Sequence, residues 1–242
     1  MEKLVIIWYI FSMKNRFFTG TCRVFLAALL LCLITLPLKA QGFFSKISWF
    51  AEGSVLFFPE DNGVHSDPMP ILPSLGAGAS YPISDTLRAE LTLDLYTTHY
   101  GYSDELSRPV PEAIENRTAR VIGSLLGFQL AGYFDVSSKV TVRAYGGPTA
   151  DLRIVLVAAG LEAHEDMKEV RKDVNKVRSY FWSQGRWLMP VIGTGADYTL
   201  NERFKLGIDF RVWMPMYRLW TGENLPAIEG WRFGPGIRLT IQ

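Results

Sequence analysis

The stretch LRAELTLDLY alternates without a slip: Leu87, Ala89, Leu91, Leu93 and Leu95 share one face, and Arg88, Glu90, Thr92, Asp94 and Tyr96 the other. Strand side chains alternate with a period of two, so this is a β-strand with an apolar face and a charged face. The pattern recurs in RFKLGIDFRVWMPMY, where Phe204, Leu206, Ile208, Phe210, Val212, Met214 and Met216 oppose Lys205, Gly207, Asp209, Arg211 and Trp213. In WRFGPGIRLTI, Trp231, Phe233, Pro235, Ile237, Leu239 and Ile241 oppose Arg232, Gly234, Gly236, Arg238 and Thr240. The apolar rows are long enough for the ~9–11 tilted residues that cross a hydrocarbon layer. The opposite rows mix full charges with glycine. Such strands put leucines toward lipid and charges inward, the inverse of a soluble barrel.

Eight strands are expected, over 48–58, 70–82, 86–99, 119–134, 138–156, 181–199, 203–217 and 230–241. Three tight hairpins carry Asp, Asn or Ser turn chemistry, in YPISDTL, YFDVSSKV and YTLNERF. The other connections are long and polar: Glu60–Met69, Tyr100–Thr118, Ala158–Ser179 and Arg218–Glu229. Strict alternation of short and long connections predicts an all-β fold, an eight-stranded antiparallel transmembrane up-and-down β-barrel with short periplasmic turns and long extracellular loops. Closure removes the strand edges that lipid cannot satisfy. Aromatic girdles are expected from Tyr81, Tyr133 and Tyr198 at the periplasmic interface, and from Phe57, Phe58, Tyr217, Trp220 and Trp231 at the outer one.

The N-terminus reads as a secretory signal: basic Lys14, Arg16 and Arg23, an apolar core from Val24 to Leu36, then the small residue Ala40. The expected organisation is a signal peptide over 1–40, with the true start at Met13, and a barrel over 41–242. Both cysteines, Cys22 and Cys32, fall in the leader, so the mature chain has no thiol chemistry. The whole chain carries a formal charge of +1, which implies no nucleic-acid partner.

The chain resembles the small eight-stranded outer-membrane barrels of the OmpW, OmpX and OmpA-domain group, with a spirochaetal flavour. The resemblance runs from about Ile47 to Gln242 and rests on architecture. It implies residence in the bacterial outer membrane, contact with outer-membrane lipid, and handling by the barrel-assembly machinery. That machinery reads a terminal aromatic after alternating hydrophobics; here GIRLTIQ keeps the spacing at Leu239 and Ile241, but Ile241 stands where the aromatic would be.

Strand direction sorts the inward residues by height. Arg88, Glu90, Arg143, Asp197, Lys205, Asp209 and Arg238 lie toward the turns, and the cost of an unpaired buried charge predicts a salt-bridged plug. Tyr96, Leu125, Trp187, Met189 and Trp213 form an apolar cup above it. By the resemblance to OmpW-like proteins, this cup admits small hydrophobic molecules and releases them sideways. Pro190 and Pro215 would weaken the ladder where a lateral opening needs it. The alternative is a non-conducting structural or adhesive barrel whose extracellular loops bind a host or envelope partner. The segment Glu162–Arg178 sets Met167, Val170, Val174 and Val177 at heptad-like spacing, predicting a short amphipathic helix outside the barrel: a lid over the cup, a contact for a partner, or a solvated helix.

No enzyme, cofactor or metal site is expected. His65, His99 and His164 lie in or beside loops, and His99 with Ser103 and Asp104 is too local for a triad. Metal-ligand spacing and phosphate loops are missing from the sequence.

Overall fold

The computed structural model describes residues 46–57, 71–111, 118–159, 166–221 (main chain alone at 218 and 220) and 230–241. The expected leader, Phe58, His65, His164 and most of the long loops lie outside these residues. The barrel unit runs Ile47–Gln242.

Its strands are β1 (Ser48–Leu56), β2 (Leu72–Pro82), β3 (Leu87–Ser103), β4 (Arg108–Pro111), β5 (Ala119–Asp135), β6 (Val140–Gly147), β7 (Thr149–Val157), β8 (Val191–Thr199), β9 (Phe204–Trp213) and β10 (Arg232–Ile241). All pair antiparallel. The segments β6 and β7 act as one barrel strand. Both pair with β5 in one unbroken register, Leu130 opposite Gly146 and Gly127 opposite Thr149, and the Phe128 N–H donates to the Pro148 carbonyl across the join. β4 is a side strand on the upper edge of β3. The remaining order closes through β1 against β10, giving a closed eight-stranded transmembrane β-barrel.

The closing ladder runs from Trp49–Ile241 to Ser54–Gly236 and resumes at Phe57–Phe233. Pro235 sits in the interval with no N–H to give. The Phe57 and Phe233 main chains donate to each other at 2.9 and 3.0 Å, and their rings stack outside at 5.5 Å.

The alternation of Leu87–Tyr96 resolves as expected: Leu91, Leu93 and Leu95 are exposed, while Glu90, Asp94 and Tyr96 are buried. The same holds around the wall, with Leu75 75% and Ile208 68% exposed on faces that water would disfavour and hydrocarbon accepts. Tyr81 and Tyr198 face outward near the turns, but Tyr133 does not join them. It falls on the inward parity of β5, and its hydroxyl donates to Glu90 at 2.5 Å. Tyr217 is likewise buried rather than in an outer girdle, beneath the Arg186 guanidinium, because β9 has ended four residues earlier.

Several expected strand limits shift, and the seventh strand ends at Trp213 rather than 217. The third strand continues to Ser103, well past residue 99, so β3, β5 and β7 rise above their neighbours. The sixth begins at Val191 rather than 181, because residues 181 and 182 end helix α1 (Met167–Trp182) and a turn fills 183–190. The Val170, Val174 and Val177 row continues at Phe181 with helical spacing, and that period prevails over the alternation in FWSQGRWLM. Asp166 caps the helix, accepting from the Lys168 N–H at 3.0 Å.

α1 is a lid. Its Val170, Val174, Val177 and Phe181 pack on Tyr100, Ala119, Val121 and Val155. Those four are inward-parity residues of β3, β5 and β7, so the helix lies on the concave side of the tall wall. Lys176 ties it to the β3–β4 turn, 2.7 Å from Asp104 and 4.7 Å above the Tyr102 ring.

Two outcomes are expected. Ile208→Arg at the middle of the lipid face should cost about 2–4 kcal/mol in urea unfolding from bilayers. The hydrogen bond and charge of Lys176 hold the Asp104 carboxyl below its ordinary range, and Asp104 holds Lys176 above its own. The tether therefore stabilises the lid between those limits. It is lost as pH falls through the depressed Asp104 pKa, or rises through the raised Lys176 pKa. An NMR titration should find the Asp104 midpoint below about 3.9, the unperturbed aspartate value. In Asp104→Asn, the low-pH step in protease sensitivity of the β3–β4 turn should vanish.

Candidate functional site: the charged lumen

An eight-stranded barrel encloses room for side chains and little else. Here the inward rows fill it with arginine and carboxylate in three tiers. Nearest the turns, Arg238 makes a two-pronged bond to Glu90 at 3.0 and 2.8 Å, with Tyr133 donating to the same carboxylate. The Arg238 guanidinium also stacks 3.5 Å from the Phe50 ring centre. Arg143, fully buried, joins Asp197 to Asp209, the latter at 2.5 Å.

In the middle tier Arg211 grips Asp94 at 2.9 and 3.2 Å, Glu52 at 2.8 Å and Asp209 at 3.3 Å. Tyr145 donates at 2.5 Å to the same Asp209 oxygen that faces Arg211, opposite the one bound by Arg143. Glu52 also lies 3.8 Å from Arg238, linking this tier to the one below. In the upper tier Asp151 accepts from the Tyr96 hydroxyl at 2.7 Å, from Arg232 at 2.5 Å and from Arg153 at 2.6 Å. Arg153 lies beneath the lid, 4.1 Å from the Phe181 ring centre.

Among the described residues this network holds five guanidiniums and six carboxylates, and no lysine. The choice follows from chemistry. A guanidinium offers five donors in a planar fork, so one buried arginine can serve two or three carboxylates, as Arg211 does. Glycine admits the bulk: a Cβ at Gly123 would overlap the Tyr96 ring, and one at Gly193 the Tyr145 ring.

The structure places the expected plug residues unevenly. Glu90, Arg143, Asp197, Asp209 and Arg238 meet in the network. Arg88 and Lys205 share the inward parity but stay partly exposed at the turn end, where Arg88 lies 4.9 Å from the Tyr133 ring centre. Glu52, Asp94, Asp151, Arg153, Arg211 and Arg232 complete the network without having been singled out. Several stood on recognised polar rows, and extending those rows to the full strand height would have found them.

Of the expected cup residues, Tyr96, Leu125, Met189 and Trp213 are buried together with Leu56, Leu72 and Val191. Trp187 is not among them: it is 39% exposed in the turn before β8, where strand alternation no longer applies. Charge also reaches the cup's own height, since Tyr96 contributes its hydroxyl to Asp151. Both prolines lie just outside the β8–β9 ladder; at Pro190 one further bond extends it, the Met214 N–H donating to the Pro190 carbonyl at 2.9 Å. A shallow cleft of about 480 Å³ opens on the lid itself, beside Tyr102, Lys172 and Asn175. Among the described residues no group of three or more His, Cys, Asp or Glu could hold a metal ion.

No family model matches the chain, and no curated protein matches it. Among solved structures, it is similar to Neisserial surface protein A at 11% identity and a TM-score of 0.46, over 81% of this chain and 96% of that one. The N-terminal barrel domain of Pseudomonas aeruginosa OprF matches at 12% identity and 0.38, over 80% and 96%. The attachment invasion locus protein Ail of Yersinia pestis matches at 7% and 0.39, over 81% and 94%. All three TM-scores fall below 0.5, and nothing about function passes from these proteins to this chain.

Proposed function

We propose that this chain is a non-conducting barrel of the bacterial outer membrane, exported by its leader and inserted by the barrel-assembly machinery. Its work is done at the loop end, where the tall β3–β5–β7 wall and α1 form a rigid platform for a host or envelope partner. The observation that carries this reading is the filling of the lumen. Two tiers of paired charge lie below a layer in which the third tier, Asp151 with Arg153 and Arg232, is set among Leu56 and Leu125, both fully buried, and Trp213, 1% exposed, and a helix packs on the tall wall. An OmpW-like path for small hydrophobic molecules would have to displace both the apolar layer and the lid. The β8–β9 ladder, extended past its upper end by the bond from the Met214 N–H to the Pro190 carbonyl, speaks against a side exit there.

The refolded protein in planar bilayers tests this. It should migrate as a compact, heat-modifiable form and stay electrically silent; discrete openings in the wild type would refute the proposal. Arg211→Ala takes from Asp94 its buried cation and leaves Glu52 only the more distant Arg238, while Asp209 keeps Arg143. Breaking a buried pair in this way should cost about 3–5 kcal/mol in denaturant unfolding and produce small cation-selective openings.

A further inference from the structure

The tall wall is a small sheet whose two edges are finished differently. On one side β4 covers the upper end of β3, from Tyr100–Pro111 to Ser103–Arg108. On the other side the sheet order ends at β7. At the base of that edge the Met189 N–H donates to the Thr149 carbonyl, and the Asp151 N–H to the Trp187 carbonyl. Even-numbered positions bond to β5 instead, as the Pro148 carbonyl does with the Phe128 N–H and the Ala158 N–H with the Thr118 carbonyl. Antiparallel pairing alternates strictly, so the main-chain groups of Arg153, Val155 and Val157 aim away from β5. Among the described residues no strand lies beside them. The contact made there is a side chain's: the Arg178 guanidinium donates to the Val155 carbonyl at 3.0 Å.

Unpaired main-chain donors and acceptors in this spacing are a template for one kind of occupant, another extended chain. The edge stands clear of hydrocarbon. Leu156 shares a ladder row with the outward Arg120 and His99, so the neighbouring strands are polar at this height. The lid then sets the sign of charge beside it. The two acids of α1, Glu169 and Asp173, pair with Lys172 and Lys176, and Lys176 faces β3 and β4 through Asp104 and Tyr102. Arg178 marks the opposite flank, toward β7. Helical period places Arg171 and Trp182 on that same flank, both exposed and with no acid between them.

We propose that the upper β7 edge, flanked by Arg171 and Arg178, binds an extended acidic segment of a partner protein as an added strand. The segment's main chain takes up the groups of Arg153, Val155 and Val157 and displaces Arg178 from the Val155 carbonyl. Its side chains alternate. Those on the concave side are carboxylates that meet the two guanidiniums. Those between them are apolar and lie beside Ile154 and Leu156, 61% and 45% exposed on the outer side. The inference rests on the reading of the loop end as a platform, and names the kind of partner that platform takes.

Residue-resolved amide exchange on the full chain in lipid nanodiscs tests this, with end-blocked peptides of about six residues, the usual strand length. One alternates valine with glutamate, and the other valine with lysine. The glutamate peptide should slow exchange at Arg153, Val155 and Val157 by roughly tenfold or more, and the lysine peptide should not. N-methylation of the glutamate peptide at alternate amides should abolish its effect. Arg171→Glu with Arg178→Glu should invert the preference while the compact heat-modifiable form persists, separating lost charge from lost fold. The proposal fails if these amides exchange slowly before peptide is added, which assigns the edge to the chain's own residues. It fails if they exchange fast in its presence, which leaves the edge to water. It fails too if both peptides protect alike, or if the charge-reversed variant keeps the glutamate preference. Discrete openings in planar bilayers would overturn the platform reading, a separate measurement from the exchange at this edge.

Discussion

Charge inside a narrow barrel has nowhere to go. With almost no water to solvate it, a guanidinium in this lumen is tolerable only if its donors reach carboxylates, and the geometry of the whole molecule answers to that demand. The inward rows must bring acids from β1, β3, β7, β8 and β9 to arginines on β6, β7, β9 and β10. A slip of one residue in any strand would send its charges into lipid and its leucines into the lumen. The network thus specifies register at least as much as it adds stability. Replacement of buried ion pairs by apolar residues is often neutral or favourable in other proteins. In this barrel such a replacement would erase the difference between the two faces.

The period-two pattern made the fold legible, because lipid outside and charge inside leave opposite marks on alternate residues. Leu87–Tyr96 and Phe204–Trp213 could be assigned to faces from sequence alone. The plug was legible in part: Glu90, Arg143, Asp197, Asp209 and Arg238 sit on clean alternations near tight turns, where register is fixed. Glu52 and Asp151 are spaced by Gly53 and Ala150, small residues that weaken the contrast between faces. Tyr133 misled because tyrosine suits both an interface and a buried hydrogen bond, and only parity decides. The helix was legible, but its spacing leaves open whether it packs, since its partners Tyr100, Val121 and Val155 lie on three separate strands. Trp187 failed for a different reason: the helical row running on to Phe181 displaced the strand in which it was placed.

The tall wall and the lid depend on each other. Above the rest of the barrel, no described strand closes a cylinder with β3, β5 and β7, and their concave face needs a cover. The valine row of α1 covers it. The result is a short sheet-and-helix layer standing on the membrane, joined below to the charged tiers through Arg153, which touches both Asp151 and Phe181. Rigidity therefore passes continuously from the lumen to the outermost turn, a condition that binding surfaces benefit from because less order has to be gained on contact.

The seam between β1 and β10 joins residues about 190 positions apart, Trp49 to Ile241, so closure is the most non-local event in the fold. Pro235 removes one ladder bond from that seam. Until the last strand arrives, the first has a bare edge that hydrocarbon cannot satisfy. The barrel is thus a self-check on synthesis: a chain that stops short exposes an edge the membrane rejects, and only the finished molecule can enter the bilayer and remain there.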